Sequence, residues 1–81
     1  MNESVQRKEA KEMRIDRIKL IAEMARQDLT VKALAEKSSV GRITISNIRR
    51  GKSCSKLVGH AIAAALNVDI ADILENEKKE G

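Results

Sequence analysis

The residues whose types and spacing could do chemistry lie between Leu29 and Gly51, in the segment LTVKALAEKSSVGRITISNIRRG. Its apolar spacing predicts two short helices joined by a tight turn, a helix-turn-helix, with Gly51 as the stop. Hydrogen-bonding side chains and one isoleucine fall on the outer face of the second helix: Arg42, Ile43, Ser46 and Asn47. Side chains of these types contact the edges of DNA bases, so the pattern favours a DNA-binding interface.

The charge around this helix is of one sign. Residues 37–68 contain no Asp or Glu and six Lys or Arg, namely Lys37, Arg42, Arg49, Arg50, Lys52 and Lys56. Residues 69–81 reverse the balance, with five acidic residues against two lysines. A solvated charge run normally mixes signs, so the asymmetry favours a polyanion as the partner.

Composition excludes other classes of protein. With 81 residues, and with no Phe, Trp, Tyr or Pro, the chain predicts one all-α domain with an aliphatic core. It also lacks the aromatic platforms on which single-stranded nucleic acids and RNA stack. The single His60 has no catalytic or metal-ligating partners nearby, and neither a phosphate loop nor a nucleophile motif is present. We therefore expect no enzyme, no cofactor, no metal and no small-molecule ligand.

The chain divides into a polar N-terminal tail (1–13), a domain (14–75) and a frayed C-terminal tail (76–81). A basic arm that reaches into a DNA groove is the alternative for the first tail, although it also carries acids. Helices are predicted over 14–26, 31–38, 42–49 and 56–66, with Thr30 and Ser55 as N-caps, and a short fifth helix follows Asp69. The first helix is predicted to bury Ile15, Ile18, Ile21 and Met24. The fourth is predicted to bury Leu57, Val58, Ala61, Ile62, Ala65 and Leu66.

Cys54 is the only cysteine and is predicted to lie in a loop between basic residues. An internal disulfide is therefore impossible, and a reducing cytoplasm is the expected setting. Nearby cations lower the pKa of a thiol, so Cys54 could be a redox-sensitive group at a DNA contact. The simpler interpretation is an incidental small residue. No signal peptide and no apolar run long enough to span a membrane are evident, so we expect no membrane partner.

From about Ile18 to Leu74, the chain resembles the Cro/CI-type (XRE-like) helix-turn-helix family of bacterial and phage transcriptional regulators. The resemblance rests on LTVKALAEKSSVGRITISNIRRGK, on the apolar helix ending ALNV, and on DIADIL. It implies a compact five-helix lambda-repressor-like bundle, in which helices 2 and 3 form the helix-turn-helix and helix 3 enters the major groove.

The resemblance also implies roles for individual residues. The positions that read bases are Arg42, Ile43 and Asn47, with Thr44 and Ser46 close by. The positions that contact phosphate are Thr30, Val31, Arg50, Lys52, Ser53 and Lys56.

The chain departs from the family pattern at two places. Val31 stands where family members often have Gln. Helix 3 ends Arg49-Arg50-Gly51 instead of Glu-Asn-Gly, and the Arg of helix 1 that often pairs with that Glu is also missing. Arg49 could pair with Glu23 in a swapped ion pair, or it could face DNA.

The expected function is sequence-specific binding of double-stranded DNA by a cytoplasmic transcriptional regulator, a repressor that acts by occupying its operator. One small domain reaches one half-site, so a homodimer on a pseudo-palindromic operator is expected. The possible dimer surface is the last helix, with Ile70, Ile73 and Leu74, and the alternative for these residues is a role in the core only. Two alternatives remain: the autoregulating antitoxin of a toxin–antitoxin pair, and a protein-interaction adaptor that does not bind DNA.

Overall fold

The structure, a computed structural model, describes residues 12–75, which form four α-helices and a short two-stranded antiparallel sheet. The helices are α1 (Arg17–Arg26), α2 (Val31–Ser38), α3 (Arg42–Arg49) and α4 (Lys56–Leu66). The strands are β1 (Glu12–Met13) and β2 (Cys54–Ser55). A 3₁₀ helix, Ile70–Asp72, follows α4. The mostly helical class agrees with the sequence prediction. The predicted number of five helices does not match the structure.

The predicted fifth helix stops after three residues because the chain that follows pairs with the segment before α1. The N–H of Asp16 donates to the carbonyl of Ile73 (2.8 Å), and the N–H of Glu75 donates to the carbonyl of Arg14 (3.0 Å). These bonds flank the isolated bridge between Leu74 and Ile15 and tie the end of the described chain to the segment before α1. The Ile73 side chain lies in the core and is 1% exposed.

The start of the chain's described part differs from the prediction of a tail followed by a helix from Arg14. Glu12 and Met13 pair with Ser55 and Cys54 in the sheet, and α1 begins only at Arg17. Asp16 is the N-cap of α1, and its Oδ1 accepts from the N–H groups of Ile18 (2.9 Å) and Lys19 (3.2 Å). The remainder of the predicted tails, residues 1–11 and 76–81, lies outside the described residues.

This later helix start changes which isoleucines are buried. Ile15 is buried from an extended segment, where it bridges to Leu74. Ile18, which was predicted to face the core, is 62% exposed. In α4 the prediction for Leu57 was wrong in the same way, since this side chain is 81% exposed at the first turn. The core-facing stripe of α4 begins one residue later, at the partly buried Val58, and continues through Ile62 to Leu66.

The helix-turn-helix has the bounds that the sequence predicts. Thr30 caps α2, where its Oγ1 accepts from the N–H of Ala33 at 3.0 Å. Ser39 then takes a left-handed conformation (φ 62°) that ends α2, and the buried Val40 fills the turn. After α3, Gly51 takes φ 101°, a conformation that glycine adopts cheaply, and this confirms it as the stop.

The core lies where the four helices meet. The N-cap of α4, Ser55, accepts from the N–H of Val58 at 3.1 Å and sets the start of the helix that packs against α2. Within residues 12–75, no helix has the length and apolar character needed to cross a membrane. The core side chains are Ile15, Leu20, Met24, Leu34, Val40, Ile45, Ile48, Cys54, Ile62, Ala63, Leu66 and Ile73.

Candidate nucleic-acid interface

Helix α3 has a buried side and an exposed side. Ile45 and Ile48, three residues apart on a helix of 3.6 residues per turn, are both in the core. On the opposite side, Ile43 is 79% exposed and Arg42 is also exposed. The other three predicted base-reading residues, Thr44, Ser46 and Asn47, are partly buried along this helix. The structure therefore brings the predicted base-reading residues together on one short helix.

A neighbouring arginine holds the side chain of Asn47. Nη1 of Arg50 donates to Oδ1 of Asn47 at 3.2 Å, and the N–H of Lys52 donates to the Asn47 carbonyl at 3.1 Å. An amide oxygen has two lone pairs, and the amide nitrogen has two protons. Asn47 can therefore keep its bond to Arg50 and still make the paired hydrogen bonds that recognise adenine.

The predicted phosphate-contacting residues lie at two places. At the start of α2, the hydroxyl of the exposed Thr30 is engaged in capping, and Val31 is partly buried. The N–H groups of a first helical turn have no partner within the helix, and they favour an anion. The second place is the segment after α3, residues 50–55, together with the first residue of α4. Four polar side chains are exposed there: Arg50, Lys52, Ser53 and Lys56.

An acidic residue from the predicted tail lies beside this second place. Because β1 pairs with β2, Glu12 lies next to the segment after α3, and Oγ of Ser53 donates to Glu12 Oε1 at 3.4 Å. The carboxylate lowers the local positive potential at Ser53. Sequence reasoning missed this contact because Glu12 and Ser53 are far apart along the chain.

Arg49 lies on the flank of α3 and does not pair with Glu23. Its side chain lines a cleft of about 360 Å³ with α1 and the start of α2, and its Nε is buried with no hydrogen-bond partner. Glu23 is engaged by Arg26 and Gln27 instead. Their hydrogen bonds, that of Arg26 first, lower the pKa of Glu23. The hypothesis of a swapped Arg49–Glu23 pair was therefore wrong.

Cys54 is not a loop thiol with a lowered pKa. It lies in β2, buried against the core. Burial, and then the charge of Glu12, raises the pKa of the Cys54 thiol above its usual range. A buried, protonated thiol reacts slowly, so the redox interpretation was wrong.

The possible dimer surface is smaller than the sequence predicted. Ile73 belongs to the core, which is the alternative that the sequence left open for it, and it is therefore not available to a dimer surface. Leu74 is partly buried, bridges to Ile15, and accepts a bond from Nζ of Lys19 at its carbonyl (3.3 Å). Ile70 is also partly buried.

Sequence reasoning missed two arginines near the site, Arg14 and Arg17. A surface cleft of about 530 Å³, which we call the arginine cleft, lies between the start of α1 and the segment after α3. Nη2 of Arg14 donates to the Gly51 carbonyl at 3.0 Å, and its Nε lies 3.4 Å from Oε1 of Glu75. The basic residues were visible in the sequence, but their approach to Gly51 depends on the fold. The cleft is lined by Arg14, Ile15, Asp16, Arg17, Ile18, Arg50, Gly51 and Glu75.

A capped helix-turn-helix with an exposed second helix, followed by a basic segment, defines a helix-turn-helix DNA-binding domain. A comparison with protein families agrees, because the model of the Cro/C1-type HTH DNA-binding domain matches residues 19–79. The chain belongs to this family. Membership supports binding of double-stranded DNA and a function in transcription regulation. Comparisons with curated proteins and with solved structures found no match.

Proposed function

We propose that this protein is a cytoplasmic transcriptional repressor that binds a specific double-stranded operator and acts by occupying it. The observation that carries the proposal is the exposed side of α3, where Ile43 is 79% exposed between Arg42 and Asn47. An isoleucine this exposed gains nothing from the core, but it packs well on a thymine methyl group in the major groove. Occupancy obstructs polymerase and needs no cofactor and no covalent chemistry.

The proposed base contacts follow from side-chain chemistry. Arg42 donates two hydrogen bonds to guanine, Ile43 contacts a thymine methyl group, and Asn47 pairs with adenine. Thr44 and Ser46 lie beside them on α3 and complete the base-reading set.

The proposed phosphate contacts fix the register of α3 in the groove without reading sequence. At the start of α2 they come from Thr30 and Val31 through the helix terminus. After α3 they come from Arg50, Lys52, Ser53 and Lys56.

One domain presents one α3 and therefore reaches one half-site. We propose a homodimer on a pseudo-palindromic operator, with half-sites about 34–36 Å apart, one turn of DNA. Ile70 and the exposed part of Leu74 are the candidates for the dimer surface.

The test is selection of bound duplexes from a random pool at near-physiological salt, followed by a reporter gene carrying the selected site. We expect a pseudo-palindrome, and we expect expression of the protein to lower reporter output. Asn47→Ala should cost about 1–3 kcal/mol of binding free energy on that site and relax one position of it. Lys52→Ala is the matched control, since loss of a phosphate contact weakens binding to all duplexes alike.

Three outcomes would contradict parts of the proposal. An enriched single half-site would contradict the dimer. Enrichment without a fall in reporter output would contradict repression. No retained duplex would contradict DNA binding itself and would favour a protein partner.

A further inference from the structure

We infer that the DNA interface extends beyond the helix-turn-helix into the arginine cleft, where Arg17 and Arg50 bind a phosphate of the DNA backbone. The inference rests on the proposed function and adds α1 to the bound surface. It assigns a DNA contact to Arg17, which lies outside the set of contacts proposed above.

Arg17 and Arg50 both line the arginine cleft, whose volume of about 530 Å³ leaves room for an anion. Gly51 has no side chain, and a Cβ placed there would lie 3.9 Å from Cδ of Arg17. Arg17 therefore approaches the backbone of the segment after α3 closely. Arg50 precedes Gly51 and lines the same cleft. Planar guanidinium groups match the geometry of phosphate oxygens and remain charged at every physiological pH.

Each acidic residue of the cleft has a partner other than Arg17 and Arg50. Asp16 accepts two N–H groups as the N-cap of α1. Glu75 forms an ion pair with Arg14. Within residues 12–75, neither Arg17 nor Arg50 forms an ion pair with a carboxylate. Arg17 and Arg50 are therefore the two arginines of the cleft that have no ion-pair partner among residues 12–75, and its three arginines outnumber its two carboxylates, Asp16 and Glu75.

Arg50 connects the cleft with the exposed side of α3. Its Nη1 donates to Oδ1 of Asn47, and the same residue lines the cleft. A recognition helix lies in the major groove between two phosphate backbones, and its first residues contact the bases. The end of such a helix, and the segment after it, then meet a backbone. The cleft lies at that end of α3, because Arg50 and Gly51 line it.

The experiment measures the dissociation constant for one duplex at about 50 and about 200 mM salt, for wild type and four variants. Arg17→Gln removes one proposed phosphate contact. Arg26→Gln is the control for net charge, because it removes the same charge from the far end of the same helix, where Arg26 pairs with Glu23. Glu75→Gln releases Arg14 from its ion pair and so adds a free positive charge to the cleft. Asp69→Asn is the control for Glu75→Gln, because asparagine also caps helices and the change in net charge is the same.

Loss of one phosphate contact lowers the slope of log affinity against log salt by about 0.9, so the defect of Arg17→Gln should shrink about 3.5-fold between the two salt concentrations. Arg26→Gln should leave the slope unchanged. Glu75→Gln should bind more tightly than Asp69→Asn at the lower salt concentration. Thermal unfolding of each variant shows that the fold is kept.

Equal slopes for Arg17→Gln and Arg26→Gln would overturn the inference, whatever Glu75→Gln does, because the effect would then be one of net charge alone. Equal binding by Glu75→Gln and Asp69→Asn would also overturn it. Both results leave the proposed function standing, since the wild type still binds. Failure of the wild type to bind any duplex would overturn the proposed function together with the inference.

Discussion

Replacement of Ile73 by alanine separates a core residue from a surface residue at the end of the domain. Ile73 is 1% exposed. Truncation of a fully buried isoleucine to alanine costs about 2–5 kcal/mol, since transfer free energy is lost and a cavity remains. At about 0.05–0.15 kcal/mol per residue, residues 12–75 have about 3–10 kcal/mol of stability in total. We therefore expect Ile73→Ala to lower the melting temperature by about 8 °C or more.

Ile18→Ala is the matched control, because it removes the same atoms from a side chain that is 62% exposed. Its effect should stay within about 0.5 kcal/mol. Thermal unfolding followed by circular dichroism at two protein concentrations measures both variants. Equal losses for the two variants would refute the assignment of Ile73 to the core. A loss for Ile73→Ala that changes with protein concentration would place Ile73 in a dimer surface instead.

Three further substitutions test local features of the structure. Arg50→Lys keeps the charge but changes the group that holds Asn47. It should weaken discrimination at the base pair read by Asn47 by about 0.5–1.5 kcal/mol, as measured by duplex competition. In an Asn47→Ala background, Arg50→Lys should have no such effect. Because burial raises the pKa of the Cys54 thiol, the folded state holds its proton more tightly than the unfolded state does. The free energy of unfolding should therefore fall as the pH rises above about 8.5, and less so in Cys54→Ala; equal pH dependence in denaturant titrations would contradict this. A Cβ on Gly59 would collide with Sδ of Met13. Gly59→Ala should therefore raise the free energy of unfolding of the Met13→Ala variant by about 1 kcal/mol, but not that of the wild type. Equal effects in both backgrounds would exclude the collision.

The elements that the sequence predicted correctly are those with local signals. Thr30 and Ser55 precede α2 and α4, and each cap bonds to an N–H three residues along the chain. The turn between α2 and α3 is marked by Ser39 and Gly41. Helical periodicity within α3 was enough to separate Ile45 from Ile43. The arrangement of the predicted base-reading side chains on one helix follows from these short-range patterns.

The elements that it predicted wrongly depend on contacts between distant parts of the chain. Glu12 and Met13 form a strand only because Cys54 and Ser55 lie beside them, and two residues carry no alternating pattern. Ile15 and Ile18 are three residues apart, which fits a helical stripe wherever the helix begins. Asp16 was the signal that could have fixed where α1 begins, because aspartate is a good N-cap residue. It places Ile15 outside the helix.

Local pairing rules out one of the two hypotheses for Arg49, the ion pair with Glu23. Periodicity could not assign this residue, since it lies on the flank of α3 between the buried and the exposed sides. The hypothesis of a pair with Glu23 treated that carboxylate as free. Arg26 lies three residues after Glu23, at the end of α1, and Gln27 lies four residues after it, as the C-cap. At these spacings, side chains on a helix are neighbours by helix geometry alone. They reach Glu23 without help from the tertiary fold, so no carboxylate on α1 remained for Arg49.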